Sequence, residues 1–190
     1  KRQELISGIK KYPVSKAYLT KTGFADDFQA DLVHHGGVNK ALFLFSSITY
    51  EKISSSFDNS FDMTNMAFFG ENLILDKICE KDICVGDILK IGQAKVQITQ
   101  PRQSCWKLSA NSLKNSMTKF IFETGLTGFY AKVLKEGQIS QNDDVVLEQR
   151  TNPNLTIEKL NQIIVEPKID INLTKEALAC EDLGHQFKNS

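Results

Sequence analysis

The chain has 190 residues, of which 41% are hydrophobic and 24% charged, an ordinary globular composition. A chain this long buries about 70% of its unfolded surface, so folding requires neither a metal nor a disulfide staple. Lys plus Arg equals Asp plus Glu at 23 each, which leaves no global field to attract a nucleic acid polymer or an anionic membrane, so any anion site must be local.

The first half reads as short strands and turns. Val14 to Thr20 alternates in part through Val14, Ala17 and Leu19, and Thr22-Gly23 breaks it. Ala41 to Phe45 follows Gly36-Gly37 as a continuous apolar run suited to a buried strand, while Ile48, Tyr50, Ile53 and Phe57 have a spacing closer to a helix. Asn65 to Leu75 is apolar and interrupted at Gly70. Ile83 to Thr99 predicts a hairpin region with a turn at Gly86-Asp87 and with Ala94, Val96 and Ile98 on one face. Pro101 cannot donate to a strand ladder, so the strand should stop there and deliver Cys105 into a loop.

Leu113 to Glu123 suggests a helix stopped by Gly125, Thr127 to Leu134 a returning strand, and Gly137 to Leu147 another hairpin. After Pro153 the character changes. Thr156 can cap a helix carrying Ile157, Leu160, Ile163 and Ile164, Pro167 breaks it, and Thr174 to Leu183 is a second helical segment ended by Gly184. The division is therefore a strand-rich body over residues 1–150 and a helical extension over 151–190. No apolar run reaches the roughly 18 residues of a membrane span. No signal-peptide pattern opens the chain, which begins at Lys1, so a cytoplasmic protein without a membrane partner is expected.

Four cysteines, Cys79, Cys84, Cys105 and Cys180, do not match a zinc pattern, and the closest pair is too widely spaced for a redox Cys-x-x-Cys. Cys105 differs from the others. Gln100-Pro-Arg-Gln-Ser-Cys-Trp-Lys-Leu108 sets it between Arg102 and Lys107, and fixed positive charge favours thiolate, the form that ligates soft metals and attacks electrophiles.

Seven segments in order resemble one family: Ser7-Gly-Ile-x-Lys11-x-Pro13-Val14, Thr22-Gly-Phe-x-x-Asp27-x-Gln29-Ala-Asp31, His35-Gly36-Gly37, Phe69-Gly-Glu71-Asn72-Leu73, Val85-Gly-Asp87, Gln100-Pro-Arg102-x-x-Cys105-x-Lys107-Leu108 and Glu123-Thr-Gly-x-Thr-Gly-Phe-Tyr130. Over about residues 5 to 150 the chain resembles MOSC-domain proteins of the bacterial YiiM type, and residues beyond resemble the small three-helix extension of that branch. The resemblance implies a mostly β fold with α: a MOSC-type β-barrel with peripheral helices and a C-terminal helical extension.

It also implies a molybdenum cofactor of the molybdopterin type, with Cys105 as the protein ligand to the metal. The implied activity is reduction of small N-hydroxylated compounds, such as hydroxylamino bases and amidoximes, to the amine. No flavin or iron–sulfur motif is visible, so electrons would come from a separate donor protein. A homodimer is a further expectation from the resemblance alone. The alternative class is a sulfur carrier or cofactor-handling module that holds persulfide on Cys105 without turning over substrate. Two departures stand out: Asp26 replaces a family Gly, and Phe28 replaces a commonly acidic residue.

The remaining candidates each have two readings. Arg102 and Lys107 are either solvated charges or holders of an anionic cofactor, for which a bidentate guanidinium suits phosphate. Gly36 and Gly37 permit positive φ in a turn, or else let backbone amides approach an anion. His35 is a structural residue, or it donates the proton that a departing hydroxyl needs. Asp31 and Asp27 orient His35 or Lys40, or shape a turn. Glu71 and Asn72 meet a pterin edge through paired donor and acceptor, or hold a loop.

Overall fold

The short alternating runs form nine strands in a computed structural model that describes Ile9 and residues 11–27, 37–58 and 61–189. In chain order these are β1 (Lys16–Thr20), β2 (Gly23–Phe24), β3 (Leu42–Ser46), β4 (Leu73–Leu75) and β5 (Ile88–Ile91). They continue with β6 (Ala94–Pro101), β7 (Phe129–Lys135), β8 (Gly137–Ser140) and β9 (Val145–Gln149). A six-stranded sheet has the order β4-β3-β7-β6-β5-β9, and a three-stranded sheet has the order β2-β1-β8. The β3–β4 pair is parallel and the other pairs antiparallel, so the larger sheet is mixed and curls into a half-barrel with helices around it.

The helices are α1 (Ser47–Ser56), α2 (Lys107–Ser112), α3 (Met117–Thr124), α4 (Ile157–Val165), α5 (Ile171–Ala179) and α6 (His185–Lys188). Ser46 caps α1 by accepting from the Ile48 amide, and Thr156 caps α4 by accepting from Lys159, so each hydroxyl satisfies an end donor. Gly125 stops α3 in the left-handed conformation, as its position after the apolar run predicts.

Two apolar clusters hold the fold. The larger joins Leu42, Leu44, Val96, Ile98 and Phe129 of the sheet to Leu155, Ile157, Leu160, Leu173 and Phe187 of the C-terminal extension. Packing is thus continuous across the change in composition near residue 150. Asn161 of α4 adds polar contacts, donating to Gly125 O at 2.8 Å and to Thr127 Oγ1 at 2.9 Å. The second cluster is aromatic: Phe43, Phe45, Tyr50, Phe61, Phe69 and Tyr130, with Leu108, Met117 and Ile121 of α2 and α3 behind them.

Three details differ from the sequence reading. The β5–β6 hairpin turns at Gly92-Gln93, whereas Gly86-Asp87 precedes β5. There Asp87, fully buried, receives both Nε and Nη2 of Arg150, at 2.9 and 2.7 Å. The segment from Leu113 begins not as a helix but as the left-handed end of α2, and α3 starts at Met117. Gly184 does not end the second tail helix: α5 stops at Ala179, and Gly184 caps the start of α6.

Candidate functional site

The end of β6 brings the candidate side chains together. Pro101 makes the last ladder pair, with Phe129, and Arg102 N then donates to Gly128 O at 3.1 Å. Gly128 has φ +67°, and a Cβ there would press on Leu44 O and the Phe43 and Phe45 rings, so only glycine lets β3 approach this closely. The chain leaves the sheet and Cys105 lies half-buried in the loop. Cys105 O accepts from Leu108 N at 3.0 Å and from Thr118 Oγ1 at 3.1 Å, which ties the loop to α2 and α3. Cys105 Sγ accepts from Lys107 N at 3.4 Å.

Arg102 is a buried charge, 5% exposed, and its guanidinium stands 5.7 Å from the centre of the Phe43 ring. Burial pushes the nearby Tyr130 phenol up, while the Arg102 guanidinium draws it back. The Lys40 ammonium lies 5.5 Å from the centre of the same tyrosine ring. Cation–π contact partly replaces the water that each buried cation has lost. Lys40, Tyr130, Arg102 and Phe43 thus form one wall beside the thiol loop. Two buried polar atoms near it, Gln100 Nε2 and Ser104 Oγ, have no hydrogen-bond partner among the described residues.

Cys105, Arg102 and Lys107 therefore share this region, with Lys107 opening α2. Gly37 has φ +96° and precedes a 3-10 turn at Val38–Lys40 that buries Lys40. Asp31, His35 and Gly36 lie outside the described residues. Glu71 and Asn72 are engaged elsewhere. Asn72 Oδ1 accepts from Phe43 N at 2.9 Å, and its Nδ2 donates to Asp27 Oδ2 at 2.7 Å, which also pairs with Lys11 at 2.8 Å. Glu71 accepts from Tyr50 OH and Phe69 N, both at 3.1 Å, and burial pushes its carboxyl up. Both residues hold the bend between Phe68 and Leu73.

Sequence reasoning gave no site role to Gln100, Ser104 or Tyr130, and to Lys40 only that of a residue to be oriented. Gln100 and Tyr130 stood inside motifs, but what marks them is burial, which a linear reading does not show. Burial also separates the cysteines: it pushes the thiols of Cys79 and Cys84 up, whereas Cys105 is only half-buried. Among the described residues no group of three or more His, Cys, Asp or Glu side chains converges, so a metal on Cys105 would draw further ligands from outside that set.

The half-barrel with a cysteine loop at the end of a central strand defines a class. The MOSC domain family matches residues 31–146, and the chain belongs to that family, in its YiiM-type branch. MOSC domains are associated with binding of the molybdenum cofactor. The chain is 35% identical to the uncharacterized protein YflK of Bacillus subtilis over 99% of this chain and 84% of that protein. It is 26% identical to a Gibberella moniliformis protein named reductase, covering 91% of this chain but 31% of that longer one. The solved structure of YiiM from Geobacillus stearothermophilus superposes with a TM-score of 0.82 at 30% identity, over 98% of this chain and 88% of that one. Among the described residues no helix is long and apolar enough to cross a membrane.

Proposed function

We propose that this protein is a molybdenum-cofactor-dependent reductase that converts N-hydroxylated compounds to amines with electrons from a separate donor protein. The observation that carries this reading is the composition of the wall at the end of β6. It joins a half-buried thiol and a buried guanidinium to two buried polar atoms that have no partner among the described residues. An unpaired buried polar group costs about 1–3 kcal/mol, and native proteins answer most such groups with a partner or a bound molecule. The donor set suits a molybdopterin. A thiolate ligates soft metals, a guanidinium forks onto phosphate or a carbonyl, and an amide N–H meets a pterin acceptor. The name of the fungal relative supports a reductive role.

When bound, the cofactor supplies the two-electron reduction of the N–O bond. The reaction balances as R–NH–OH plus two electrons and two protons giving R–NH2 and water. Cys105 holds the metal, and Arg102, braced by Phe43 and Tyr130, binds the anionic part of the cofactor with Lys107 beside it. Gly36 and Gly37 offer backbone amides. By the family resemblance, His35 gives a proton to the departing hydroxyl, a task for a group that titrates near neutral pH.

Protein made in a cofactor-competent host is expected to carry about one molybdenum per chain and to reduce a hydroxylaminopurine when a reducing partner is supplied, and C105S to lose both properties. Full metal retention by C105S would refute the ligand assignment. Loaded protein that leaves N–O bonds intact would refute the activity, and persulfide on a metal-free Cys105 would favour the sulfur-carrier alternative.

A further inference from the structure

The stretch from Arg102 to Cys105 has no regular structure of its own, and both its ends are anchored. At its start Arg102 N donates to Gly128 O at 3.1 Å, the last backbone hydrogen bond before Cys105 among the described residues. At its end Cys105 O accepts from Thr118 Oγ1 of α3. One short turn over residues 125–128 joins the two anchors, since it leads from the end of α3 to Gly128. Whatever holds that turn sets where the thiol loop stands.

Three buried polar side chains hold it: Glu80, Thr127 and Asn161. Asn161 reaches across from α4, and its Nδ2 donates to Gly125 O at 2.8 Å and to Thr127 Oγ1 at 2.9 Å. A carbonyl only accepts, so the amide nitrogen must face the turn. Thr127 Oγ1 therefore accepts from Asn161, and its single hydrogen goes to Gly128 O, 2.9 Å away. Gly128 O thus receives the Thr127 hydroxyl and the Arg102 amide together. On the other side Gly128 N donates to Glu80 Oε1 at 2.9 Å, and Glu80 Oε2 accepts from Thr49 Oγ1 at 2.6 Å. A glycine has no side chain to wedge it in place, so these bonds fix the orientation of its two peptide groups.

We propose that Asn161 is a positioning residue for Arg102. Through Thr127 and Gly128 it fixes the backbone from which the guanidinium projects, so the C-terminal extension takes part in holding the cofactor. The inference rests on the reading of the wall beside the thiol loop as the cofactor site. Packing alone does not account for this side chain. Ile157, Leu160 and Ile163 are buried on the same helix, and a leucine at 161 would be the better helix former. A buried amide costs stability unless its donors are met, and what it gives in return is a single fixed geometry. The contact is direct, since a Cβ on Gly125 would lie 3.1 Å from Asn161 Cβ. The family match ends at residue 146, so the extension supplies this residue from outside the matched domain.

The test uses the full chain with two variants, N161L and T127V. The second is isosteric and removes only the hydroxyl link, which covers the case in which N161L misfolds. In cofactor-free protein, hydrogen exchange at the Arg102 amide should speed up about tenfold in either variant, the worth of one hydrogen bond. That rate is read relative to the Ile98 amide, which donates to Asp87 O away from the turn. Protein from a cofactor-competent host should retain about three- to tenfold less molybdenum and pterin per folded chain in both variants. T127S, which keeps the hydroxyl, should restore retention. L160A removes packing from the same helix but leaves the polar chain intact, so it should keep its cofactor. Wild-type exchange at Arg102 in both variants would overturn the proposal, and so would full cofactor retention in both. Equal cofactor loss in L160A would also overturn it, because general stability would then explain the effect. Faster exchange at Arg102 in a protein that takes up no molybdenum, wild type included, would support the positioning of Arg102 while removing the cofactor reading of the wall.

Discussion

Arg102 lies over Phe43 and against the Tyr130 hydroxyl, so its direction is set before any ligand arrives. A lysine there would keep the charge and lose the planar fork. R102K is expected to lower cofactor retention about tenfold or more, read as molybdenum and pterin per chain, with little change in urea midpoint. Gly128 sits behind this arrangement. G128A forces a side chain into left-handed backbone, at about 1–2 kcal/mol, and drives Cβ against Leu44 O, so a loss of at least about 2 kcal/mol in urea unfolding is expected. Glu71 yields a pH prediction. Burial raises its folded pKa above the ordinary 4.5, so between 4.5 and that raised value the folded state holds a proton that the unfolded state has released. Its contribution is therefore complete below 4.5 and is lost as pH rises through the folded pKa. The E71Q variant should gain stability relative to wild type between pH 4 and pH 7.5; an unchanged difference across about that range would contradict the assignment.

At the level of elements, much was legible. The alternation of Ala94, Val96 and Ile98 and the stop at Pro101 set β6, and Thr156 and Gly125 mark the ends of α4 and α3. The helix α2 was not legible because Lys-Leu-Ser-Ala-Asn-Ser is short and carries one large apolar residue. It forms because Leu108 enters the aromatic cluster and the loop carbonyl of Cys105 receives the Leu108 amide. Gly86-Asp87 read as a turn, but the use of its carboxylate as an anchor for Arg150 needed a partner 63 residues away. R150A leaves that carboxylate buried without its cation, and a cost of about 3 kcal/mol is expected by urea denaturation, the low end for such pairs because the guanidinium is partly exposed.

For the whole molecule, the extension counts as part of the core. Leu155, Ile157 and Leu160 are fully buried against the sheet, and Asp182 accepts from Gln97 Nε2 at 3.0 Å and from Asn152 Nδ2 at 3.1 Å. A chain ended at residue 150 would expose the apolar face of the half-barrel. It is expected to bind a hydrophobic dye and to lose its cooperative unfolding transition. L160A in the full chain should cost about 2–5 kcal/mol.

The sequence by itself determined β6, the starts and stops of the longer helices such as α4 and the stop of α3, the change of character near residue 150 and the cysteine loop, because periodicity, caps, prolines and charge next to a thiol are local properties. Only the tertiary structure decided which charged residues are buried, that Lys40 and Arg102 meet at one tyrosine, that Asn72 is spent on Phe43 and Asp27, and that Asn161 of the extension holds the turn at Gly125. Those facts depend on contacts between residues far apart in the chain, and desolvation exists only once such contacts are made.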